Sequence, residues 1–151
     1  MIAQNVITRW TAAGLGDLSE IAQVVAERLL NAKAHPFVLW LSGDLGAGKT
    51  TFAKELLYAL GVSRKIPVLS PTYTYMTEYD STNGLLAHMD LYRLVEGDVD
   101  SVEMLLSGRF FRGLIVEWPE RARHCSLIER SFAVNFTISS DVERRQIEFC
   151  N

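Results

Sequence analysis

Cysteine is scarce in this chain. Its 151 residues include two, Cys125 and Cys150, with no metal-type spacing and no further cysteine to build a disulfide framework. Both are expected to stay reduced, and at least one to serve as a small buried apolar group. Long apolar runs are missing as well. Nothing approaches the roughly 20 residues that span a bilayer, and the longest candidate, Pro36 to Ser42, has strand length. Met1 to Trp10 lacks a basic stretch followed by an apolar one, so no signal peptide is read there. Positive charge has no surplus: 15 Lys+Arg against 18 Asp+Glu give a formal net charge of -3. That balance offers no electrostatic footprint for gripping nucleic acid directly. The expectation is a cytoplasmic protein with no membrane partner and no DNA partner, any RNA being held by another subunit.

What is present is an ordinary globular composition, 48% hydrophobic and 22% charged. Without repeats or a low-complexity linker, residues 1–151 are read as one domain. Gln4 to Trp10 alternates loosely, as an edge strand does. Asp17 or Ser19 can cap a helix running through Ile21, Val24, Val25, Arg28 and Leu29, whose apolar spacing fits one face. Phe37 to Leu41 is a continuous apolar run, the signature of a central parallel strand covered on both sides. A helix from Thr50 to Leu60 follows, ended by Gly61. Tyr73 to Tyr79 and Leu85 to Asp90 form a hairpin signal with Asn83-Gly84 in the turn. A short helix is expected over Val99 to Leu106, and a buried strand over Leu114 to Val116, ending at Glu117-Trp118-Pro119. Phe132 to Ile138 and Arg144 to Phe149 suggest a last hairpin. The fold class is therefore α/β: a P-loop NTPase-like three-layer sandwich with parallel central strands flanked by antiparallel hairpins.

Chemistry concentrates in Gly43-Asp-Leu-Gly-Ala-Gly-Lys-Thr50, a full Walker A pattern. Glycines let consecutive backbone N–H groups turn inward on phosphate oxygens. Lys49 supplies a point charge for the β and γ phosphates, the Thr50 hydroxyl suits magnesium, and the helix beginning here adds its positive end. The motif also follows an apolar strand and precedes a helix, as this mechanism requires. Gly43, Leu45, Gly46, Ala47, Gly48, Lys49, Thr50 and Thr51 are the candidate nucleotide-binding set, with a nucleoside triphosphate and Mg2+ as the implied ligands.

Hydrolysis usually needs an acidic residue at the end of a neighbouring strand. Asp90 and Glu117 both have that placement, and each could hold magnesium or position water, or be a solvated strand-end carboxylate. His88 reads as a packed strand residue rather than a ligand. Ser70-Pro71-Thr72 falls where switch segments sit, though a plain loop accounts for it as well. Trp118 is favoured as core over a stacking platform.

Taken together, Leu41-x-Gly-Asp-Leu-Gly-Ala-Gly-Lys-Thr-Thr-Phe52, Ser70-Pro-Thr-Tyr-Thr74, His88-Met-Asp-Leu-Tyr-Arg93 and Val116-Glu-Trp-Pro-Glu120 resemble the TsaE (YjeE) family over roughly residues 15 to 150. These are small bacterial ATPases of tRNA threonylcarbamoyladenosine biosynthesis. The resemblance implies ATP and Mg2+ as cofactors, and the TsaB and TsaD proteins as partners. That pair transfers the threonylcarbamoyl group to adenosine 37, so tRNA is reached indirectly through the complex. It also implies roles: Thr50 and Glu117 as magnesium ligands, Asp90 as the Walker-B-like acid, and Thr72 as the switch threonine. These join Lys49 as the candidate catalytic group. Nucleotide contacts near the family's N-terminus and last hairpin fall here near Leu15 and near Arg144-Arg145, with Arg144 as the candidate of the two.

Two other readings compete. A small-molecule P-loop kinase would want an arginine-rich helical lid, and the arginines between Arg109 and Arg123 are interrupted by a strand and by Trp118-Pro119. A nucleotide-dependent binding module would share the loop without useful hydrolysis.

Overall fold

The computed structural model describes residues 5–140 and 143–151. Among them the chain runs β1 (Val6–Ala12), α1 (Leu15–Asn31), β2 (Phe37–Ser42), α2 (Lys49–Ala59), β3 (Met76–Ser81), β4 (Gly84–Asp90), α3 (Val99–Leu106), β5 (Gly113–Glu117), β6 (Phe132–Ile138) and β7 (Arg145–Cys150). The strands form one seven-stranded sheet in the order β1-β7-β6-β2-β5-β4-β3. Its centre, β6-β2-β5-β4, is parallel. Its flanks are antiparallel, β7 and β1 on one side and β3 on the other. This is the α/β architecture expected from the pattern.

Alternation along the strands explains the layers. Leu39, Leu41, Leu86, Ile115, Val134 and Phe136 pack with Ile21, Val25 and Leu29 of α1 and Phe52, Leu56 and Leu57 of α2. The intervening Val38, Ala87, Met89, Leu114 and Val116 pack with Val102 and Leu106 of α3, with Ala122 and Ile128 of two 3-10 turns, and with Cys125 between those turns. Both faces of the central strands are covered, which is why β2 and β5 read as unbroken apolar runs. Cys125 and Cys150 are free and buried, and burial pushes the Cys150 thiol's pKa up. No helix among the described residues is long and apolar enough to cross a membrane.

Several boundaries move. The edge strand is Val6–Ala12 rather than Gln4 to Trp10, with Gln4 outside the described residues. Helix α1 begins at Leu15, ahead of both expected caps. Gly14 precedes it in an extended conformation, and Asp17 sits in the first turn, where its carboxylate accepts from the Ala13 N–H at 2.7 Å. An acid there also suits the positive end of the helix. Helix α2 ends one residue early at Ala59. Gly61, at φ +104, closes it in a Schellman arrangement, with Gly61 N bonded to Tyr58 O and Val62 N to Leu57 O. Strand β3 starts at Met76 rather than Tyr73, because residues 72–74 turn and Tyr75 takes φ 62. The first hairpin turns on Thr82-Asn83, with Ser81 and Gly84 already paired. Strand β7 starts at Arg145 rather than Arg144.

Candidate functional site

The glycine-rich loop leaves the end of β2 and runs directly into α2. Gly43 is required by crowding: at φ +151, a Cβ there would lie 2.7 Å from the Phe136 carbonyl of β6. Gly48 is required by conformation instead. It precedes α2 at φ +102, and the space a Cβ would enter is open. No side chain caps α2, so its first N–H groups and its positive dipole end face the loop, a ready site for an anion.

Lys49 is 4% exposed. Its Nζ donates to the carbonyls of Gly43 at 2.6 Å and Asp44 at 2.9 Å, and lies 4.2 Å from the centre of the Trp118 ring. Burial pushes its pKa below the ordinary lysine value of 10.5, against the opposing pull of Glu117, Glu120, Asp90 and Asp44. Trp118 also packs on the α3-side core and stands 5.0 Å from the Tyr92 ring. It is both core and a wall of the site.

Two acidic strand ends meet here. Asp90 and Glu117 are register neighbours on the parallel strands β4 and β5. The Thr50 hydroxyl donates to Glu117 Oε2 at 2.9 Å, while Glu117 Oε1 meets His88 Nε2 at 2.8 Å. Asp90 Oδ2 accepts from Ser70 Oγ and Thr72 Oγ1, each at 2.9 Å, and its Oδ1 accepts from the Tyr92 N–H. The Ser70-Pro71-Thr72 segment is thus tied to Asp90 rather than left as a plain loop. Lys49, Thr50, Thr72, Asp90, Glu117 and Leu45 line one cleft of about 390 Å³.

Among the described residues, no three His, Cys, Asp or Glu side chains gather to hold a metal on their own. The hard oxygens of Thr50 and Glu117 nevertheless meet in the cleft. That pair fits magnesium, which binds one or two protein oxygens and completes its shell with phosphate and water.

A second cleft of about 290 Å³ adjoins the loop from the other side. Leu15, Leu18, Gly46, Ala47, Gly48, Thr51 and Arg145 line it. Leu15 therefore lies beside the loop, 58% exposed. Of the two neighbouring arginines, Arg145 rather than Arg144 lines this cleft, with Nη2 3.4 Å from the Gly46 carbonyl. Arg144 instead offers its carbonyl to Ser139 at the β6–β7 turn. Sequence reasoning reaches the Arg144-Arg145 pair but settles on Arg144, and it misses the His88–Glu117 contact. Strand alternation turns His88 and Asp90 to one face, but which residue of β5 lies beside them is set by the register.

The profile of the family described as Threonylcarbamoyl adenosine biosynthesis protein TsaE matches residues 15–147. The Aquifex aeolicus tRNA threonylcarbamoyladenosine biosynthesis protein TsaE is 41% identical over 112 residues, covering 74% of this chain and 77% of that protein. The Haemophilus influenzae protein of the same name is 35% identical over 127 residues, covering 82% and 76%. Among solved structures, the crystal structure of Bacillus subtilis YdiB superposes with a TM-score of 0.69 at 32% identity, covering 99% of this chain and 86% of that one. With the profile spanning residues 15–147, the glycine-rich loop and both acidic strand ends among them, the chain belongs to the TsaE family.

Proposed function

We propose that this protein binds ATP with magnesium and hydrolyses it, as the ATPase subunit of the bacterial tRNA threonylcarbamoyladenosine machinery. Its partners are the TsaB–TsaD pair, and its place is the cytoplasm. The observation that carries the reading is convergence: Lys49, Thr50, Asp90 and Glu117, from α2, β4 and β5, line one cleft beside a bare helix N-terminus. Membership of the family supports the tRNA-modification assignment.

In this reading the loop N–H groups hold the phosphates, and Lys49 turns its ammonium from the Gly43 and Asp44 carbonyls to the β and γ oxygens. Thr50 and Glu117 hold the metal, which supplies charge neutralisation on those phosphates. Asp90 positions the attacking water, and Thr72, bonded to Asp90, reports on the γ position. The second cleft, with Leu15, Thr51 and Arg145, receives the nucleoside end. Arg145 takes the place of Arg144 in this role, because it is the one that lines the cleft. The charge balance of -3 suits a subunit that acts on protein partners and reaches tRNA only through them.

Steady-state ATP hydrolysis by the purified protein, alone and with TsaB–TsaD, tests this directly. Slow turnover that rises with the partners and vanishes in Lys49→Ala is expected. A turnover indifferent to the partners would leave the nucleotide site standing and remove the tRNA-modification role.

A further inference from the structure

We propose that His88 is a positioning residue for Glu117, anchoring one carboxylate oxygen so that the other is presented to the bound metal. This rests on the magnesium reading above and extends it to a residue without contact to nucleotide or metal.

Every other member of Leu85-Leu-Ala-His-Met89 is apolar, and His88 is fully buried in their midst. A polar ring in such a strand needs a partner. Glu117 Oε1 is that partner at 2.8 Å, and Glu117 is itself only 2% exposed. A carboxylate accepts, so the ring proton sits on Nε2 and the histidine donates. The other ring nitrogen, Nδ1, has no hydrogen-bond partner. A residue retained for packing alone would do better as an apolar side chain, which leaves no ring nitrogen unpaired. What the histidine provides is orientation. With Oε1 held by His88, Oε2 is directed to the Thr50 hydroxyl at 2.9 Å, and so to the place where both oxygens can reach one cation. Partners of this kind fix the rotamer of a metal-binding group from behind.

The register explains the construction. Asp90 pairs with Glu117 and His88 with Ile115 across β4 and β5, so His88 and Asp90 share one face, two residues apart. Asp90 occupies the cleft while His88 sits one step deeper, under Glu117.

Two substitutions of like chemistry and different reach test the role. The amide nitrogen of His88→Gln reaches as far as Nε2, whereas that of His88→Asn stops near the position of Nδ1. With ADP as probe, titration calorimetry over a magnesium series gives the half-saturating magnesium concentration and the metal-free affinity. His88→Asn is expected to raise the magnesium requirement about 10- to 100-fold, with ADP affinity in EDTA unchanged. His88→Gln should stay within a few-fold of the wild type. Identical magnesium curves for the two variants would overturn the positioning role, as would loss of metal-free ADP binding or of folding in both. A wild type indifferent to magnesium overturns the metal reading of the cleft along with it. A magnesium-dependent wild type with indistinguishable variants overturns this role alone.

Discussion

The Thr50 hydroxyl donates to Glu117 Oε2 across 2.9 Å, joining the first turn of α2 to the end of a strand 67 residues further along the chain. In the proposed reading both groups serve one cation position, so their losses should not add. Thr50→Val keeps the shape and removes the oxygen, while Glu117→Gln keeps the size and removes the charge. Each is expected to weaken magnesium-dependent ATP turnover by roughly 1.5–3 kcal/mol, the scale of a bond to a charged group. The double variant should lose clearly less than the sum. Turnover in Glu117→Gln equal to the wild type would remove its metal role.

At Lys49 stability and function separate. Burial lowers its pKa below 10.5, so the folded state binds that proton less tightly than the unfolded chain does. The burial penalty is fully present below the lowered value and is relieved as pH rises from there to 10.5. Lys49→Met keeps the stem against Trp118 and removes the charge. It should abolish nucleotide binding in calorimetry while its thermal midpoint at neutral pH does not fall below the wild type. The difference in midpoint should narrow toward pH 10.5. A midpoint well below the wild type would mean that the bonds to the Gly43 and Asp44 carbonyls outweigh the burial cost.

The loop from Gly43 to Thr50 is legible because its chemistry is local: every group it needs lies within eight consecutive residues. The central strands are legible because both faces are covered, which leaves Phe37 to Leu41 without a polar interruption. Contacts set by register are not. His88 meets Glu117 only because β4 and β5 align His88 with Ile115, a fact spread over 29 residues. The choice between Arg144 and Arg145 turns on which of two identical residues opens β7, and composition carries no information about that. The late start of β3 follows from the turn before it and the positive φ of Tyr75, a conformation that a tyrosine does not advertise.

Asp98 caps α3, accepting from the Ser101 N–H at 3.2 Å and from its hydroxyl at 2.6 Å. These bonds from Ser101 hold its carboxyl below the ordinary value of 3.8. The cap's contribution is therefore complete above pH 3.8 and is lost as pH falls through the lower folded value. Asp98→Ala should show a lower urea midpoint than the wild type at neutral pH, and the gap should close in strong acid. A gap that persists unchanged below that range would assign the effect to packing instead of to the ionised cap.

Gly113 opens β5 between Phe37 of β2 and Leu86 of β4. A Cβ at this position would fall inside the van der Waals envelope of the Phe37 ring, which is fully buried and cannot swing into solvent. Nothing in its backbone angle demands glycine, since its φ is not positive; the ring demands it. Gly113→Ala is therefore expected to cost about 1–3 kcal/mol by overpacking, read as a lower urea midpoint with an unchanged slope. Phe37→Leu removes the ring and should cost stability by itself through lost packing. In the double variant the added methyl enters the room the ring gave up, so the combined loss should be smaller than the sum of the two. Additive losses would show that Gly113 is needed for something other than the ring. Glu117 lies at the far end of the same strand, so folded Gly113→Ala should keep its magnesium dependence, which separates this effect from every change made in the cleft.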